Sequence, residues 1–346
     1  MARTFDIDSK KEVVDSFRDQ LRRGVQSCHL SFLLGSGASC PAIPTAGPIE
    51  VELAKLDGEG KKAEADKKLV DLLRTFDKPT SQLLSGKMDE DVKGTLENYV
   101  AFLKALDGLL EARRSTLLPK QTTVFSINYD LFMEKASEEC TTIILNDGFD
   151  RSPVLSGAFQ FRTERFFDST HHSGHAYGYT SEVPTINLLK MHGSLTWKKD
   201  AASILYGLFD FTALPAADNS GAHESFLSAV NVVVPGATKF RQTTLERTYY
   251  DLLRIFSNQM ESRNSILFTF GFSFVDDHLV DILTRALRNP TLQLFACCYS
   301  EKDVAFVTEK FANFNNVTAL FGKKAPLDFK RLNRLLASLA PTQASP

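Results

Sequence analysis

Short, almost continuous apolar runs recur along the chain and constrain its fold more than any other feature. Runs of this kind are typical of strands that are buried on both faces, as in a parallel sheet. They are HLSFLL (29–34), TTVFSI (122–127), TTIIL (141–145), TINLLKM (185–191), NVVVP (231–235), SILFTF (265–270), LQLFACCYS (292–300) and NVTALF (316–321). Helical patterns lie between several of them, over 129–139, 243–262, 276–288, 301–312 and 327–338. The alternation predicts an α/β fold with a mostly parallel sheet flanked by helices.

The remaining segments differ in texture from the strand-rich part. Residues 8–23 have the apolar spacing of an amphipathic helix, and residues 48–118 are rich in lysine and glutamate with leucines three and four apart. Residues 146–184 are irregular and predict a mobile loop or a small accessory layer. We therefore divide the chain into an N-terminal helix (1–28), a main domain (29–47 and 119–325), a helical insertion (48–118), and a C-terminal helix with a disordered tail (326–346).

Composition narrows the class of protein. Forty basic and forty-two acidic side chains give a formal charge of −2, which argues against direct binding of nucleic acid. The sequence contains neither a signal-peptide pattern nor the ~18 consecutive apolar residues of a membrane span, so we expect a cytoplasmic protein that does not bind membranes. The five cysteines lie outside any C-x-x-C pair, which excludes a cysteine-only zinc ribbon of usual spacing and fits reduced thiols. Three histidines lie close together in the irregular region, at His171, His172 and His175. Because no cysteines or acidic residues lie near them at the spacing of metal ligands, we expect a solvated loop and not a metal site.

Four polar motifs directly follow apolar runs. Open parallel sheets bind ligands at the carboxyl ends of their strands, so one edge of the sheet is expected to bring all four motifs together. The motifs are GSGAS (35–39), NYD (128–130), HGS (192–194) and GFSFVDDH (271–278).

GSGAS has the composition of a phosphate-binding turn. Its two glycines allow close approach of a phosphate, while its amides and the hydroxyls of Ser36 and Ser39 donate hydrogen bonds. As a dinucleotide fingerprint it is incomplete, because Cys40 stands where G-x-G-x-x-G has its third glycine and prolines follow. A plain strand-to-loop turn is an equal alternative.

Asn128 and His192 are the candidate catalytic side chains. The amide of Asn128 is expected at a strand end facing the cleft, whereas Asp130 is also explained as a helix cap. A lone histidine is ordinarily a satisfied core residue, but Gly193 and Ser194 predict a turn that presents His192 to solvent and substrate.

The fourth motif contributes weaker candidates. Gly271 and Ser273 are expected to line the cleft, and Asp276 or Asp277 has the position of a helix N-cap. For Trp197, packing and ligand contact both remain open.

Together the motifs resemble the sirtuin-like family of NAD-consuming proteins, in particular its bacterial branch in antiphage defence systems. GSGAS with Ile43 and Pro44 behind it is similar to the family's Gly-Ala-Gly-x-Ser turn and Ile-Pro. INYD is similar to the branch's Thr-x-Asn-Tyr-Asp, and KMHGSLTW to its Lys-Leu-His-Gly-Ser-Leu-x-Trp. VVPGATKF, YYDLLR and LFTFGFSFVDDH are similar to its C-terminal half, so the resemblance runs from residue 29 to about residue 300.

The resemblance implies a Rossmann-like domain that takes NAD as its substrate and needs no metal. It implies catalytic roles for Asn128 and His192. It further implies that a set of turn residues contacts the dinucleotide, namely Gly35, Ser36, Gly37, Ala38, Ser39, Asp130, Gly271 and Ser273.

The chain departs from deacylating sirtuins in two places. Thr45, Ala46 and Gly47 stand where those proteins have Asp-Phe-Arg, and the four-cysteine zinc ribbon is missing. NAD⁺ hydrolysis is therefore favoured over protein deacylation. A module that senses NAD or ADP-ribose without cleaving it is the main alternative, and a nicotinamide oxidoreductase is a third.

The resemblance also implies partners. Proteins of this type are often encoded beside a hexameric DNA-translocase ATPase of the HerA/FtsK type, so we expect a homo-oligomer that assembles with such an ATPase. The helical segment 48–118 and the first helix are the candidate interfaces.

Overall fold

The computed structural model describes residues 1–45, 47–113, 117–152, 155, 157–174, 180–200, 203–216, 220–229 and 247–340. The strand predicted at 231–235, residues 341–346 of the tail predicted to be disordered (337–346), and the loop residue His175 lie outside the described residues. The first residues of that predicted tail, up to Leu339, are helical. Within the described residues, no helix is long and apolar enough to cross a bilayer.

The regular elements of the described residues have the following bounds. The strands of the described residues are β1 (Arg3–Asp6), β2 (His29–Leu34), β3 (Gln121–Ser126), β4 (Ile144–Asn146), β5 (Phe149–Asp150), β6 (Gln160–Phe161), β7 (His171–Ser173), β8 (Thr180–Glu182), β9 (Thr185–Lys190), β10 (Trp197–Asp200), β11 (Ser203–Tyr206), β12 (Ser265–Phe270), β13 (Leu292–Cys297) and β14 (Val317–Phe321). The α-helices are α1 (Lys11–Ser27), α2 (Gly47–Gly58), α3 (Lys62–Arg74), α4 (Asp77–Ser85), α5 (Glu90–Glu111), α6 (Phe132–Ser137), α7 (Ser220–Ala229), α8 (Arg247–Glu261), α9 (Asp277–Ala286), α10 (Glu301–Lys310) and α11 (Phe329–Leu339).

A parallel sheet of eight strands forms the centre of the fold. Its strand order is β1-β14-β13-β12-β2-β3-β9-β4, and every pair of neighbours is parallel. The strands β9 and β12 are buried at every position, which explains their continuous apolar sequences. The predicted α/β fold with a mostly parallel sheet is confirmed.

Helices cover both faces of this sheet. On one face α5 and α11 pack on β2 and β12, and the rings of Phe32 and Phe102 lie 5.1 Å apart. On the other face α8 and α9 pack on β3 and β12, and the rings of Phe125 and Phe256 lie 4.8 Å apart. Helix α5 belongs to the segment predicted as a helical insertion, so the last part of that segment covers the main sheet. Its first part, α2 and α3, forms a small cluster of its own.

Side-chain caps fix where several of these helices begin. The carboxylate of Asp89 accepts a hydrogen bond from the Val92 amide at the start of α5, at 3.0 Å. Ser300 and Asp303 form a reciprocal capping box at the start of α10. These caps satisfy backbone amides that have no partner within the helix.

The N-terminal region and the irregular region contain strands that the sequence did not predict. The N-terminal region contains a strand, β1, ahead of its helix, and β1 pairs with β14 at the edge of the sheet. A four-residue edge strand needs no apolar run, because its outer side faces solvent. The irregular region and the residues after β9 form a small antiparallel sheet, β10-β11-β6-β5, and a hairpin, β7-β8.

The chain reverses direction across the sheet between β2 and β12. From β2 it continues to β3 on one side, and from β12 it continues to β13 on the other, although β2 and β12 are neighbours. A crevice forms outside the carboxyl ends of two such strands, and α/β proteins bind their ligands there.

Glycines allow the two turns at this crevice to touch. The Gly35 amide donates to the Phe270 carbonyl at 2.9 Å, and the Gly37 amide donates to the Gly271 carbonyl at 3.1 Å. A Cβ on Gly35 would lie 2.3 Å from the Gly271 carbonyl oxygen, and Gly271 has a φ of +63°. The close contact of the two backbones therefore requires glycine on both sides.

We expect Gly35→Ala to lower the free energy of unfolding by about 2 kcal/mol or more, because the methyl group would force two backbone segments apart. Gly94→Ala is the matched control, since a Cβ at this α5 position meets open space. That control should be neutral or stabilise the protein by up to about 1 kcal/mol. Thermal and denaturant unfolding measure both, and equal stability of Gly35→Ala and wild type would contradict the required contact.

Candidate active site

The strand order brings the four polar motifs to one edge of the sheet. They follow β12, β2, β3 and β9, which are consecutive neighbours with their carboxyl ends on the same side. A cavity of about 580 Å³ lies at this edge. Its volume is within the usual range of small-molecule and cofactor sites.

Most of the site residues predicted from the sequence line this cavity. They are Ser36, Gly37, Ser39, Asn128, Asp130, His192, Gly271 and Ser273. The other two, Gly35 and Ala38, lie in the same turn but not in the cavity wall, and Ala38 is buried.

The GSGAS turn uses much of its own hydrogen-bonding capacity. Residues Ser36–Ser39 form a single 3-10 turn. The Gly35 and Gly37 amides donate across to the β12 turn, and the Ala38 amide donates to the Gly35 carbonyl at 3.0 Å. These three amides are therefore already bonded within the protein. Phosphate binding by this turn stays a prediction. The residue of the turn that we still expect to contact a phosphate is Ser36, which lines the cavity.

Asn128 is held by a buried hydrogen-bond network. Its Nδ2 donates to the Gly35 carbonyl at 3.0 Å and to Ser39 Oγ at 3.1 Å. Because a carbonyl oxygen only accepts, the amide nitrogen must face Gly35. Both amide hydrogens are thus used, and Oδ1 is the atom left for a ligand. The side chain can accept a hydrogen bond from a water or a hydroxyl group.

Ser39 connects this network to two further residues. Its hydroxyl donates to Asp130 Oδ2 at 2.6 Å, and its oxygen lies 2.9 Å from the Tyr99 hydroxyl. Since the one hydrogen of Ser39 goes to the carboxylate, the Tyr99 hydroxyl must donate to Ser39. Burial raises the pKa of Tyr99 well above its usual value, so the phenol keeps the proton that it donates.

Asp130 acts as a structural support beneath the cavity. Its Oδ1 accepts from the Phe132 amide at 3.2 Å, as expected for a residue at the start of a helix, while its Oδ2 accepts from Ser39. The two interpretations of Asp130, a cap and an orienting residue, are therefore compatible.

Lys190, which precedes the HGS motif, binds the backbone of the NYD motif. Its Nζ donates to the carbonyl oxygens of Asp130 at 2.5 Å and Asn128 at 3.3 Å, and lies 3.4 Å from the Glu134 carboxylate. The lysine is buried, which is unusual for an ammonium group. It fixes the backbone of the NYD turn at the end of β3.

His192 follows Lys190 on a tight turn. Gly193 has a φ of +87°, and its amide donates to the Lys190 carbonyl at 3.1 Å. The imidazole Nε2 lies 3.0 Å from Asp276 Oδ2, and both side chains are almost completely buried. The predicted turn is present, and the histidine lines the cavity with an acidic partner that the sequence analysis did not assign to it.

Several residues of the site were not predicted from the sequence. Helices α3 and α5 contribute residues to the site, and the end of β13 with the start of α10 forms its outer part. The wall residues among them are Leu72, Phe76, Cys297, Cys298, Tyr299, Asp303 and Phe306. Tyr99 does not line the cavity and contacts the site through its hydrogen bond with Ser39. Tyr299 follows β13, so the expectation that ligands bind at the carboxyl ends of parallel strands would have predicted it. The sequence does not indicate which face of each helix lies toward the cavity.

The thiols in the wall behave as apolar groups. Burial raises the pKa of Cys298 to about 12 and raises the pKa of Cys297 as well. Both thiols therefore stay protonated at neutral pH, and neither has the thiolate character of a nucleophile.

Trp197, for which the sequence left two roles open, and His171 and His172 of the irregular region do not line the cavity. Trp197 packs against Phe161, with ring centroids 4.6 Å apart, and against Tyr249 at 6.1 Å. Its role is packing. His171 and His172 are exposed on β7, and the described part of the chain has no cluster of three metal-ligating side chains.

We expect Lys190→Met to lower the free energy of unfolding by about 3 kcal/mol near pH 8, because it leaves the partly buried Glu134 carboxylate without its cation. Burial already raises the pKa of Glu134, and losing the lysine raises it further. The penalty exists above that raised pKa and disappears as the pH falls through it.

Thermal unfolding at pH 8 and at pH 5 tests this expectation. The deficit of Lys190→Met should shrink at pH 5, and adding Glu134→Gln should recover part of it at pH 8. A deficit that is absent, or equal at both pH values, would contradict the role of the buried pair.

The chain was compared with known families and proteins. The family model described as SIR2-like domain matches residues 122–320, which is more than half of the chain. The matched region extends from β3 to β14 and includes Asn128, His192, Gly271 and Ser273. Comparison with curated proteins gave no match.

Proposed function

The chain belongs to the SIR2-like domain family, and on that premise we propose that it hydrolyses NAD⁺ to ADP-ribose and nicotinamide. Membership of the family is consistent with an NAD-related activity. The observation that carries the proposal is the position of Asn128 and His192 on neighbouring strand ends, in one cavity with the two glycine turns.

The reaction makes modest demands on the protein. The bond between the anomeric carbon of the ribose and the nicotinamide nitrogen breaks, its electron pair goes to the nitrogen, and the ring leaves as a neutral molecule. Unlike a typical glycosidase, the enzyme needs no strong general acid for the leaving group. It must hold the dinucleotide, support an oxocarbenium-like ribose and place a water.

The side chains of the cavity fit these tasks. The Oδ1 of Asn128 accepts a hydrogen bond from the attacking water or from a ribose hydroxyl. His192 takes the proton released as the water oxygen bonds to the anomeric carbon, either directly or through a ribose hydroxyl. Asp130 acts through Ser39, by holding the network that fixes Asn128.

The order of strand ends suggests how a dinucleotide lies across the edge. Asn128 and His192 follow β3 and β9, the glycine turns follow β2 and β12, and Tyr299 follows β13. With about 4.8 Å between strands, β9 and β13 are ~19 Å apart. We place the nicotinamide ribose at β3 and β9, the pyrophosphate near Ser36 and Ser273, and the adenosine near Tyr299.

Hydrolysis is preferred to deacylation for reasons of sequence. Thr45 lines the cavity where deacylating sirtuins have the acidic residue of their Asp-Phe-Arg motif, and the cysteines lack the spacing of a zinc ribbon. The competing proposal is a module that binds NAD or ADP-ribose and regulates a partner without cleaving the ligand. Unchanged NAD levels in infected cells that express the protein would favour it. An oxidoreductase is disfavoured by Cys40 in place of the third glycine, and an assay of hydride transfer tests it.

We further propose a role in antiphage defence through depletion of NAD. Because an unrestrained NAD hydrolase would kill its host, activity must be switched, and the resemblance suggests oligomerisation with a HerA/FtsK-type ATPase. Gel filtration of the chain with and without that ATPase tests the assembly. A fully active monomer would contradict it.

We expect Asn128→Ala and His192→Ala each to lower nicotinamide release by about 10²- to 10⁴-fold, the usual contribution of a positioned proton-transfer group. His171→Ala is the matched control, because His171 is exposed on β7 away from the cavity. Release of nicotinamide from NAD⁺ is followed by chromatography, with the ATPase present if it is needed. Wild-type turnover by both cavity variants would rule out the assignment.

We also expect NAD⁺ to be used in preference to NADP⁺ by at least roughly tenfold in kcat/KM, since Asp303 would repel a 2′-phosphate at the adenosine end. Asp303 lines the cavity, and the Ser300 amide and hydroxyl hold its carboxylate at 2.8 and 2.9 Å. Asp303→Asn should narrow the preference, whereas Glu301→Gln, on the same exposed turn, should not. Equal use of both dinucleotides by the wild type would contradict this placement.

A further inference from the structure

The contact between His192 and Asp276 is a pairing that the proposed reaction has not yet used. Their Nε2 and Oδ2 atoms are 3.0 Å apart, and the exposed fractions of the two side chains are 7% and 5%. Because an ionised carboxylate only accepts, a hydrogen bond between these two atoms requires the proton on Nε2 and leaves the lone pair of the neutral ring on Nδ1. We propose that Asp276 is a positioning residue that sets this tautomer and stabilises the ring once it takes up a proton. The catalytic part of this inference rests on the proposed function; the pairing does not.

The carboxylate is itself held in place. Asp276 is the N-cap of α9, and its Oδ1 accepts from the Leu279 amide at 3.4 Å. Unbonded amides at a helix N-terminus stabilise negative charge there. One oxygen therefore binds the helix while the other binds His192, so the carboxylate has little freedom to turn away from the imidazole.

The loop that carries Asp276 must cross part of the sheet edge. His192 follows β9, whereas Asp276 lies six residues beyond β12, and these strands are three places apart, or ~14 Å. Two left-handed residues bend the loop, Gly271 with a φ of +63° and Phe274 with a φ of +56°.

Phe274 is strained for a bulky residue, at a cost of order 1–3 kcal/mol. Its carbonyl accepts from Lys310 Nζ at 3.1 Å, and its ring packs on Phe272 and Phe311 with centroid distances of 4.9 and 5.6 Å. These contacts stabilise the left-handed conformation of Phe274, which the N-cap at Asp276 does not by itself require. This conformation brings Asp276 to the histidine.

Capping alone does not account for Asp276. A cap needs one side-chain oxygen, and asparagine or serine provides it as well as aspartate does. Asp277, the next residue, is exposed on the first turn of the same helix and does not line the cavity. The chain therefore offers a second carboxylate at nearly the same position for comparison.

Other titratable groups surround the imidazole. The Tyr129 ring centroid lies 6.5 Å from it, and Asp130, Cys40 and Cys298 line the same cavity. Beneath the turn, Lys190 is paired with Glu134. The Asp276 carboxylate lies 3.0 Å from the ring, so its charge is expected to affect proton uptake by His192 strongly.

Asp276→Asn separates the two roles, because asparagine keeps the cap and removes the charge. We expect kcat for nicotinamide release to fall by roughly 10-fold to 10²-fold, as part of the general-base contribution, with little change in KM. The acid limb of the pH profile should move to lower pH, because the ring loses its proton more readily without the carboxylate. Asp277→Asn should change neither quantity. Asp276→Ser, a second capping residue, should repeat the result if the asparagine variant folds poorly.

A measurement without substrate keeps the pairing independent of the proposed activity. In protein labelled with ¹⁵N-histidine, the signals of His192 are assigned by their loss in His192→Gln. The wild type should show the Nε2–H tautomer, and Asp276→Asn should change its population or its titration. If the wild type shows this tautomer but releases no nicotinamide, the pairing stands and the proposed function fails. If kcat, acid limb and tautomer are all unchanged in Asp276→Asn, Asp276 is only a helix cap and the inference is overturned.

Discussion

The backbone contact between the two glycine turns is the constraint on which the rest of the site depends. Because the Gly35 and Gly37 amides donate to the ends of β12, the two turns meet where the chain reverses across the sheet. The Gly35 carbonyl accepts from the Asn128 side-chain amide as well as from the Ala38 amide, and the first of these bonds sets the orientation of the asparagine. The contact between the two turns uses amides that a phosphate would otherwise bind. The turn therefore supports the proposed catalytic residue Asn128 more directly than it would bind a dinucleotide.

The sequence predicts a strand well when that strand is buried on both faces of the sheet. Strands covered on both faces have continuous apolar runs, so β2, β3, β9 and β12 were predicted almost to the residue, whereas the edge strand β1 has no such run and was missed. Polar residues at strand ends were found because parallel strands share a carboxyl edge. Tyr99 and Asp276 were not assigned to the site, since their roles depend on which helix face or loop reaches the cavity, and neither local period nor motif spacing contains that information.

The polar groups of the cavity are arranged around buried charges with defined partners. Lys190 holds the turn that carries Asn128, and Asp276 holds the ring of His192. Asp130 binds Ser39 and thereby the asparagine amide. Each supporting residue fixes the proton state or orientation of another residue. Such a rigid arrangement suits a reaction in which the leaving group needs no acid and the main requirement is the placement of a water and a ribose.

The central claim is that this cavity cleaves the bond between nicotinamide and ribose. The most direct measurement is to incubate the purified chain with NAD⁺, alone and with the proposed HerA/FtsK-type ATPase, and to quantify all nucleotide products by chromatography. Cleavage in this cavity should give equal amounts of nicotinamide and ADP-ribose, formed at a rate that falls when the cavity residues are substituted. Recovery of bound but unchanged NAD⁺ under both conditions, or its conversion to NADH, would contradict it.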